Sequence, residues 1–576
     1  MHIERLKISS FRNLLDFEIA FTRSARDADG AEREFKSHAV IGQNGSGKSN
    51  LLEAIITIFR DLDLNATSTL DYEMDYETSD RDGVKHHIEL KAQEGKRPSV
   101  TINGRKSSSR EIVENPNTYL PAHIFAYYSG KNERVEQLFQ QHLQRFNQRM
   151  RFDEAEQLPS HLIERFAGTE EEAEAIRRHR RSREGRRRHL GEDQLRRLFY
   201  CRGGHTQLVL LACFLSGDAV FSKILEDLSI VQLESALFVL KQPNYLRSDV
   251  PESNIRNGDA RFWFAAGTVV SEFLDKLWKV ALAPIEDANS KLIDFRGRRE
   301  NQEQLYLFVP DNDSLKKLGN LVGSPEAFFR YAEGAYIGDL IEEVRIGVKH
   351  KDVDGNVSYV QLSEGELQLL TVLGLMRITS RDNCLFLLDE PDTHLNPIWK
   401  LRYFEKIESV LAPTEQGGER SDSQIIITTH DPMVIGSLRK EQVRIFKTEE
   451  GRTSVEMPEE HPQGMGVAGL LKSELFGLRS TVDSETLRQL DHRNYLFALG
   501  KKRTKKENEE LSRLSEQLSE LGFASDFKDP YFAMFVQKMA LHTEFHKDVL
   551  TAEEIAAQDK VATSIIDKIL KEKATK

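Results

Sequence analysis

The sequence predicts an α/β fold: a largely parallel sheet covered by helices, split by a large and mainly helical insertion and followed by a helical C-terminal extension. Three observations carry this reading. Short apolar segments, His38-Ala39-Val40-Ile41, Leu385-Phe386-Leu387-Leu388 and Ile425-Ile426-Ile427-Thr428, alternate with helical stretches, as strands buried on both faces do. A glycine-rich turn joins the first of them directly to an amphipathic helix. The second ends on two carboxylates, Asp389 and Glu390.

Composition sets the frame. With 576 residues, 39% hydrophobic and 30% charged, the chain can bury a sizeable core. Its 35 glycines and 16 prolines exclude a collagenous or low-complexity chain. No apolar run nears the roughly 18 residues needed to span a bilayer, and Met1 to Arg5 has no signal-peptide character, so a cytoplasmic location is expected. Cys201, Cys213 and Cys384 are too few and too scattered for a disulfide framework or a metal site. The net charge of −12 argues against coating nucleic acid by overall charge.

Along the chain, Ile3 to Ile8 and Leu15 to Phe21 roughly alternate apolar and polar residues around Ser9 to Asn13, which predicts a hairpin. The buried strand His38 to Ile41 leads through the glycine turn into a helix from Asn50 to Phe59. Strands follow near Val84 to Leu90, Ser99 to Ile102 and His123 to Tyr128. From 131 to about 290 the spacing is mostly helical, as in Ile224, Leu225, Leu228 and Val231, with no sustained heptad. Within it an acidic run, Glu170 to Glu174, precedes Arg177 to Arg188, where eight of twelve residues are arginine. Strands return at Gln304 to Val309, and at Val344 to Lys349 with Val357 to Gln361, joined by the turn Asp354-Gly355. Then come a helix from Glu364 to Thr379, the strand Leu385 to Leu388, a helix near Pro397 to Val410, and the strand Ile425 to Thr428. Beyond 450 the chain is polar and helical, with Leu511, Leu514, Leu518 and Leu521 striping one helix. The expected domains are 1–130, an N-terminal lobe; 131–340, the insertion; 341–450, a C-terminal lobe; and 451–576, the extension.

The chemistry concentrates at two places. Gly42-Gln43-Asn44-Gly45-Ser46-Gly47-Lys48-Ser49 fits the phosphate-binding loop, with a strand before it and a helix from Asn50 after it. The glycines let backbone N–H groups wrap phosphate oxygens at a helix N-terminus. Lys48 is expected on the phosphates and Ser49 on Mg²⁺. At the end of the apolar strand, Asp389 is expected to support Mg²⁺ and Glu390 to act as general base for the attacking water.

Leu362-Ser363-Glu364-Gly365-Glu366, whose serine lies 26 residues before Asp389, resembles the signature motif of ABC-type ATPases. Asp389-Glu390-Pro391-Asp392-Thr393-His394-Leu395-Asn396-Pro397 resembles their Walker B motif and D-loop, and Thr428-Thr429-His430 their switch histidine. The beginning, from Ile3 to Asn13 with its Phe11-Arg12-Asn13, is similar to the RecF/SMC/OLD branch. This resemblance implies ATP and Mg²⁺ as ligands and a composite site in at least a homodimer. Ser363, Gly365 and Glu366 would meet the nucleotide bound by the opposite head, and His430 the γ-phosphate in cis. The family's glutamine after the first-lobe strand is absent here, with Ser129 and Asn132 as stand-ins and Gln137 further along the helix.

Between Ser49 and Ser363 lie 313 residues, room for a module that senses a ligand, binds DNA or recruits a partner. The arginine run could track a nucleic-acid backbone; as a solvated loop it would be neutralised by the adjacent glutamates. Residues 440–576 supply no nuclease centre: Asp526 and Asp529 have the wrong spacing for metal-dependent cutting, and His461, His492 and His542 form no His-Asn-His finger. The tail Glu474 to Asp483 is similar to that of PtuA-type ATPases of Septu-like anti-phage defence systems, which pair the ATPase with a separate His-Asn-His nuclease. The resemblance therefore implies a regulatory ATPase with a nuclease partner. The alternative is a RecF/SMC-like DNA-repair or DNA-clamping ATPase.

Overall fold

A computed structural model gives the fold. It describes residues 1–151, 197–292, 299–351, 356–358, 363–411, 422–523, parts of 535–545, and 552–574, less short gaps within those spans. The runs Glu170 to Glu174 and Arg177 to Arg188, the turn Asp354-Gly355, and Asn132, Leu362, Asp526, Asp529 and His542 lie outside the described residues. The chain divides into two compact units, Met1–Thr429 with Phe446–Val455, and His430–Ile445 with Glu456–Lys576. The stretch His430–Ile445, expected in the C-terminal lobe, thus groups with the extension.

A seven-stranded sheet organises the first unit. Its order is Leu198–Tyr200, His123–Tyr128, Cys384–Asp389, Gln424–Thr428, Ser37–Gly42, Val443–Glu449 and Arg452–Glu456. The first five strands run parallel, so their C-terminal ends gather on one edge, where such sheets bind ligands. One strand, Gln424–Thr428, separates the strand entering the phosphate loop from the strand ending on Asp389.

A second, six-stranded sheet is antiparallel throughout, in the order Leu14–Ala20, His2–Phe11, Tyr72–Ser79, Lys85–Ala92, Ser99–Ile102, Arg105–Ser108. The helix Lys48–Asp63 shares one buried cluster with both sheets. Leu51, Leu52, Ile55, Ile56 and Phe59 join Ile3, Leu6 and Ile8 of the antiparallel sheet and Ile124, Leu385 and Ile426 of the parallel one. A helix apolar on more than one stripe is held between layers, and each such side chain stabilises the fold by about 1.5–3 kcal/mol. The helix behind the phosphate loop is therefore a fixed part of the core.

Among its described residues the insertion has more helix than strand, as expected, but it also holds strands beyond the expected Gln304 to Val309. Leu198–Tyr200 belongs to the central sheet, and five antiparallel strands form a third sheet in the order Leu282–Leu292, Arg299–Val309, Ile230–Lys241, Ile341–His350, Asn356–Ser358. The helix expected to carry Ile224 through Val231 ends at Asp227, and Val231 lies exposed on the strand Ile230–Lys241. The reason is physical: that strand slips register against Ile341–His350 at three places. Each irregularity resets which face is buried, so no period of two survives in the sequence. Helices Gly203–Ser216, Ala219–Asp227, Asn312–Val322 and Pro325–Ile337 flank the sheet.

In the second unit, Ser484–Ala498 and Lys505–Glu520 form a helix pair that buries Leu496, Leu514 and Leu518, whereas Leu521 is exposed. The leucine stripe is thus half used within the chain. Asp483 caps the first helix and a Thr504–Glu507 capping box starts the second. His492 and His461 sit on the surface beside Glu510 and Glu441. No helix among the described residues is long and apolar enough to cross a membrane.

Candidate functional site

The strand Ser37–Gly42 is buried up to Ile41 and opens into the loop, where Gln43, Asn44 and Gly45 are exposed and Ser46, Gly47 and Lys48 are covered. Two of the loop glycines are dictated by space and conformation. A Cβ on Gly42 would lie 2.7 Å from the Phe446 carbonyl oxygen and 2.8 Å from Ser46 Oγ. Gly47 has φ 101° and would press a Cβ to 2.8 Å from Leu14. Gly47 is also the N-cap of Lys48–Asp63, and no side chain caps that helix start. Its first N–H groups keep the donors and the dipole that favour a bound anion.

Neighbours hold the loop in shape. Asn13, at the hairpin tip, donates through Nδ2 to Gly45 O at 2.9 Å and accepts at Oδ1 from Asn50 Nδ2 at 2.6 Å. Thr453 Oγ1 donates to Ser46 O at 2.9 Å. Arg12, which follows Phe11, donates to Asn50 Oδ1 at 2.9 Å and pairs with Glu53. Glu53 is fully buried one turn beyond Ser49, and Arg134 Nη2 approaches its other oxygen at 2.6 Å.

The parts expected to work together do meet. Ser49 Oγ donates to Asp389 Oδ2 at 2.8 Å, and Thr428 Oγ1 donates to Asp389 Oδ1. Lys48 Nζ donates to Gly42 O at 2.8 Å and Gln43 O at 3.2 Å, so it lies folded across the loop. Burial pulls the Lys48 pKa down, while Glu390 and Asp389 pull it back up. Asp389 is the mirror case: burial raises its pKa, against the hydrogen bonds from Thr428 and Ser49. Its carboxylate would be stabilised by a positive charge.

Glu390 adopts φ 48°, left-handed for a residue with a Cβ. Its N–H donates to Thr428 O at 3.0 Å. Such backbone costs on the order of 1–3 kcal/mol and persists where the surroundings enforce it, commonly at functional sites. Here it swings Glu390 out of the strand direction immediately after Asp389. Thr429 Oγ1 donates to the buried Asp392 at 3.0 Å, so consecutive threonines brace consecutive parts of the acidic turn.

The serine-led segment is built as a helix start. Ser363 and Glu366 form a reciprocal capping box before Glu364–Ile378. Gly365 is required by contact: a Cβ there would lie 2.3 Å from His394 O. The helix start is thus seated directly on the turn Asp389 to Asn396, and Glu364 lies 3.5 Å from His394 Nε2. The hydrogen bonds of Ser363 lie within its own helix start. His430, exposed, follows Thr429 as the first residue of the second unit. Ser129 donates its N–H to Asp389 O at 3.2 Å, whereas Gln137 is exposed on its helix. Thr453, Glu53 and Arg134 escape sequence reasoning; only Glu53, the one charge between Asn50 and Phe59, offers a signal.

Residues 1–179 match the family model described as "AAA ATPase domain", and residues 255–436 match "AAA domain, putative AbiEii toxin, Type IV TA system". Over 136 residues the chain is 28% identical to the Septu protein PtuA of Bacillus mycoides (strain KBAB4), covering 23% of this chain and 18% of that protein. Over 148 residues it is 26% identical to the retron Vc95 probable ATPase of Vibrio cholerae serotype O1 biovar El Tor, covering 23% and 27%. The chain thus aligns with well under half the length of these relatives. Among solved structures it is similar to the SMC head domain from Thermotoga maritima, with 11% identity, TM-score 0.30, and coverage of 80% of this chain and 100% of that one. It is also similar to the recombination mediator protein RecF with ATP, with 14% identity, TM-score 0.29, and coverage of 79% and 99%.

Proposed function

The chain is built as an ABC-type P-loop ATPase head related in sequence to PtuA, and from that premise we propose that it binds and hydrolyses ATP as the regulatory subunit of a bacterial anti-phage defence complex, controlling a separate nuclease of the His-Asn-His type. The observation that carries the proposal is the meeting of Ser49 and Asp389 at 2.8 Å, with Lys48 beside them and Glu390 next in sequence.

The pair Ser49 and Asp389 offers hard oxygen donors, and the buried carboxylate gains from a cation, so the site fits Mg²⁺. Mg²⁺ bound there would neutralise charge on the β- and γ-phosphates. Lys48 exchanges the Gly42 and Gln43 carbonyls for phosphate oxygens, and the N–H groups from Gly45 to Asn50 line the rest of the polyphosphate. Glu390 accepts a proton from water as its oxygen attacks the γ-phosphorus and the bond to the β-phosphate oxygen breaks, leaving ADP and phosphate.

Ser363, Gly365 and Glu366 serve the nucleotide of a second copy, in a head-to-head sandwich. The inward bonding of Ser363 and its seat on the acidic turn support this: the helix start is fixed to the catalytic turn of its own head while its outer side stays exposed. Hydrolysis would then open or close the pair of heads and so restrain or license the nuclease.

Co-expression with a His-Asn-His protein encoded beside this chain tests the proposal. A stable complex is expected whose DNA cutting changes with ATP, and whose ATP response vanishes in Lys48→Ala. Tight salt-dependent DNA binding by this chain alone, with no nuclease recruited, would instead support the DNA-clamping reading.

A further inference from the structure

Tyr128 closes the strand His123–Tyr128, and its register partner on the neighbouring parallel strand is Asp389. Partners in register on adjacent strands direct their side chains to the same face. Asp389 reaches Ser49 at the start of the helix Lys48–Asp63, and Tyr128 joins the buried cluster containing Leu51 and Leu52 of that helix. The phenol and the carboxylate therefore share the side of the sheet on which the phosphate-loop helix packs.

Tyr128 is only 5% exposed, and its hydroxyl finds no hydrogen-bond partner among the described residues. A buried hydroxyl is ordinarily satisfied, because leaving it unpaired costs its full desolvation. Burial first, then the charges of Asp389 and Glu53, push the phenol's pKa well above its usual value, so the group remains an O–H donor across the neutral range. The neighbouring Ser129 N–H holds the strand end against Asp389 O at 3.2 Å. An unspent donor is thus fixed beside the carboxylate expected to support Mg²⁺.

We propose that Tyr128 is a positioning residue of the nucleotide site: when nucleotide and divalent cation bind, its hydroxyl donates a hydrogen bond to a water held at the Asp389 carboxylate. The inference rests on the nucleotide site proposed above. It gives the first-lobe strand a direct link to the cation shell through a tyrosine, at a strand end that lacks a glutamine.

The test is Tyr128→Phe, which removes the hydroxyl and keeps the ring. Binding of a fluorescent ATP analogue is measured in EDTA and across a Mg²⁺ titration, together with melting temperature. The half-saturating Mg²⁺ concentration is expected to rise about tenfold, the loss of one hydrogen bond in a charged shell. Affinity in EDTA should stay within about twofold, and the melting temperature of the nucleotide-free protein should hold or rise. The added thermal shift that Mg²⁺ gives over ATP alone should shrink in the variant, an independent reading on the same sample. An unchanged Mg²⁺ titration and an unchanged thermal shift would overturn the role. Failure of the wild-type chain to bind the analogue, or indifference of the wild type to Mg²⁺, would instead overturn the underlying nucleotide site.

Discussion

Ser49 Oγ lies 2.8 Å from Asp389 Oδ2, joining the phosphate loop to the acidic strand across 340 positions of sequence. Two parallel strands with one between them make that contact, and a helix buried on every side holds it in place. Ser49→Ala leaves Asp389 with the Thr428 bond and removes one of two hard oxygens from the expected cation site. Mg²⁺-dependent ATP binding should weaken about tenfold, while binding in EDTA stays near that of the wild type. A Mg²⁺ titration of nucleotide affinity checks it.

Ser363→Arg places a long cation where the partner's nucleotide is expected. One protomer should bind ATP as before, while ATP-dependent doubling of mass in light scattering disappears. Because the substitution also breaks the capping box, it should cost about 1 kcal/mol at the helix start. Ser363→Ala shares that cost and serves as the control for it.

Gly365→Ala forces a Cβ to within 2.3 Å of the His394 carbonyl oxygen, a backbone atom that cannot rotate away. The helix start must lift off the acidic turn. ATP binding by the isolated loop should survive, and turnover should fall by about tenfold or more, the mark of misplaced catalytic groups. Phosphate-release assays at saturating ATP check this.

Asp63 ends the phosphate-loop helix and accepts from His142 Nε2 at 2.7 Å and Arg197 Nε at 2.9 Å. Burial opposes its charge, but His142 and Arg197 win and bring its pKa down from 3.8 to about 2. A depressed carboxylate contributes stability above its unfolded pKa and loses it as pH falls through the folded value. Asp63→Asn should therefore destabilise the protein by on the order of 2 kcal/mol at neutral pH. The gap to the wild type should narrow between about pH 4 and pH 2. Melting temperatures of both proteins across pH check it.

The glycine loop and the acidic strand are legible in sequence because local space and hydrogen bonding dictate residue type there: a Cβ on Gly42 strikes Phe446, and Asp389 accepts from Ser49 at the end of the loop. The strands entering them are legible because both their faces are buried. Other parts follow from tertiary context. Tyr72–Ser79 alternates buried and half-buried residues throughout, yet Glu73, Asp75 and Glu77 are weak strand formers, so no strand is expected there. The insertion's sheet is masked by register slips along Ile230–Lys241. Thr453 braces Ser46 from 407 positions away, a contact that no local pattern carries. Ser363 reads in sequence as a capping residue or a signature serine; the capping box is observed, and the second role is the one proposed for a partner copy.

Glu390→Gln bears most directly on the central claim, that Asp389 and Glu390 complete an ATP-hydrolysing centre with the loop Gly42–Ser49. The measurement is phosphate release under saturating ATP and Mg²⁺, with nucleotide binding followed in the same samples. Binding should be retained and turnover should drop by about 100-fold or more, the share of a general base. Turnover equal to the wild type with ATP fully bound would contradict it.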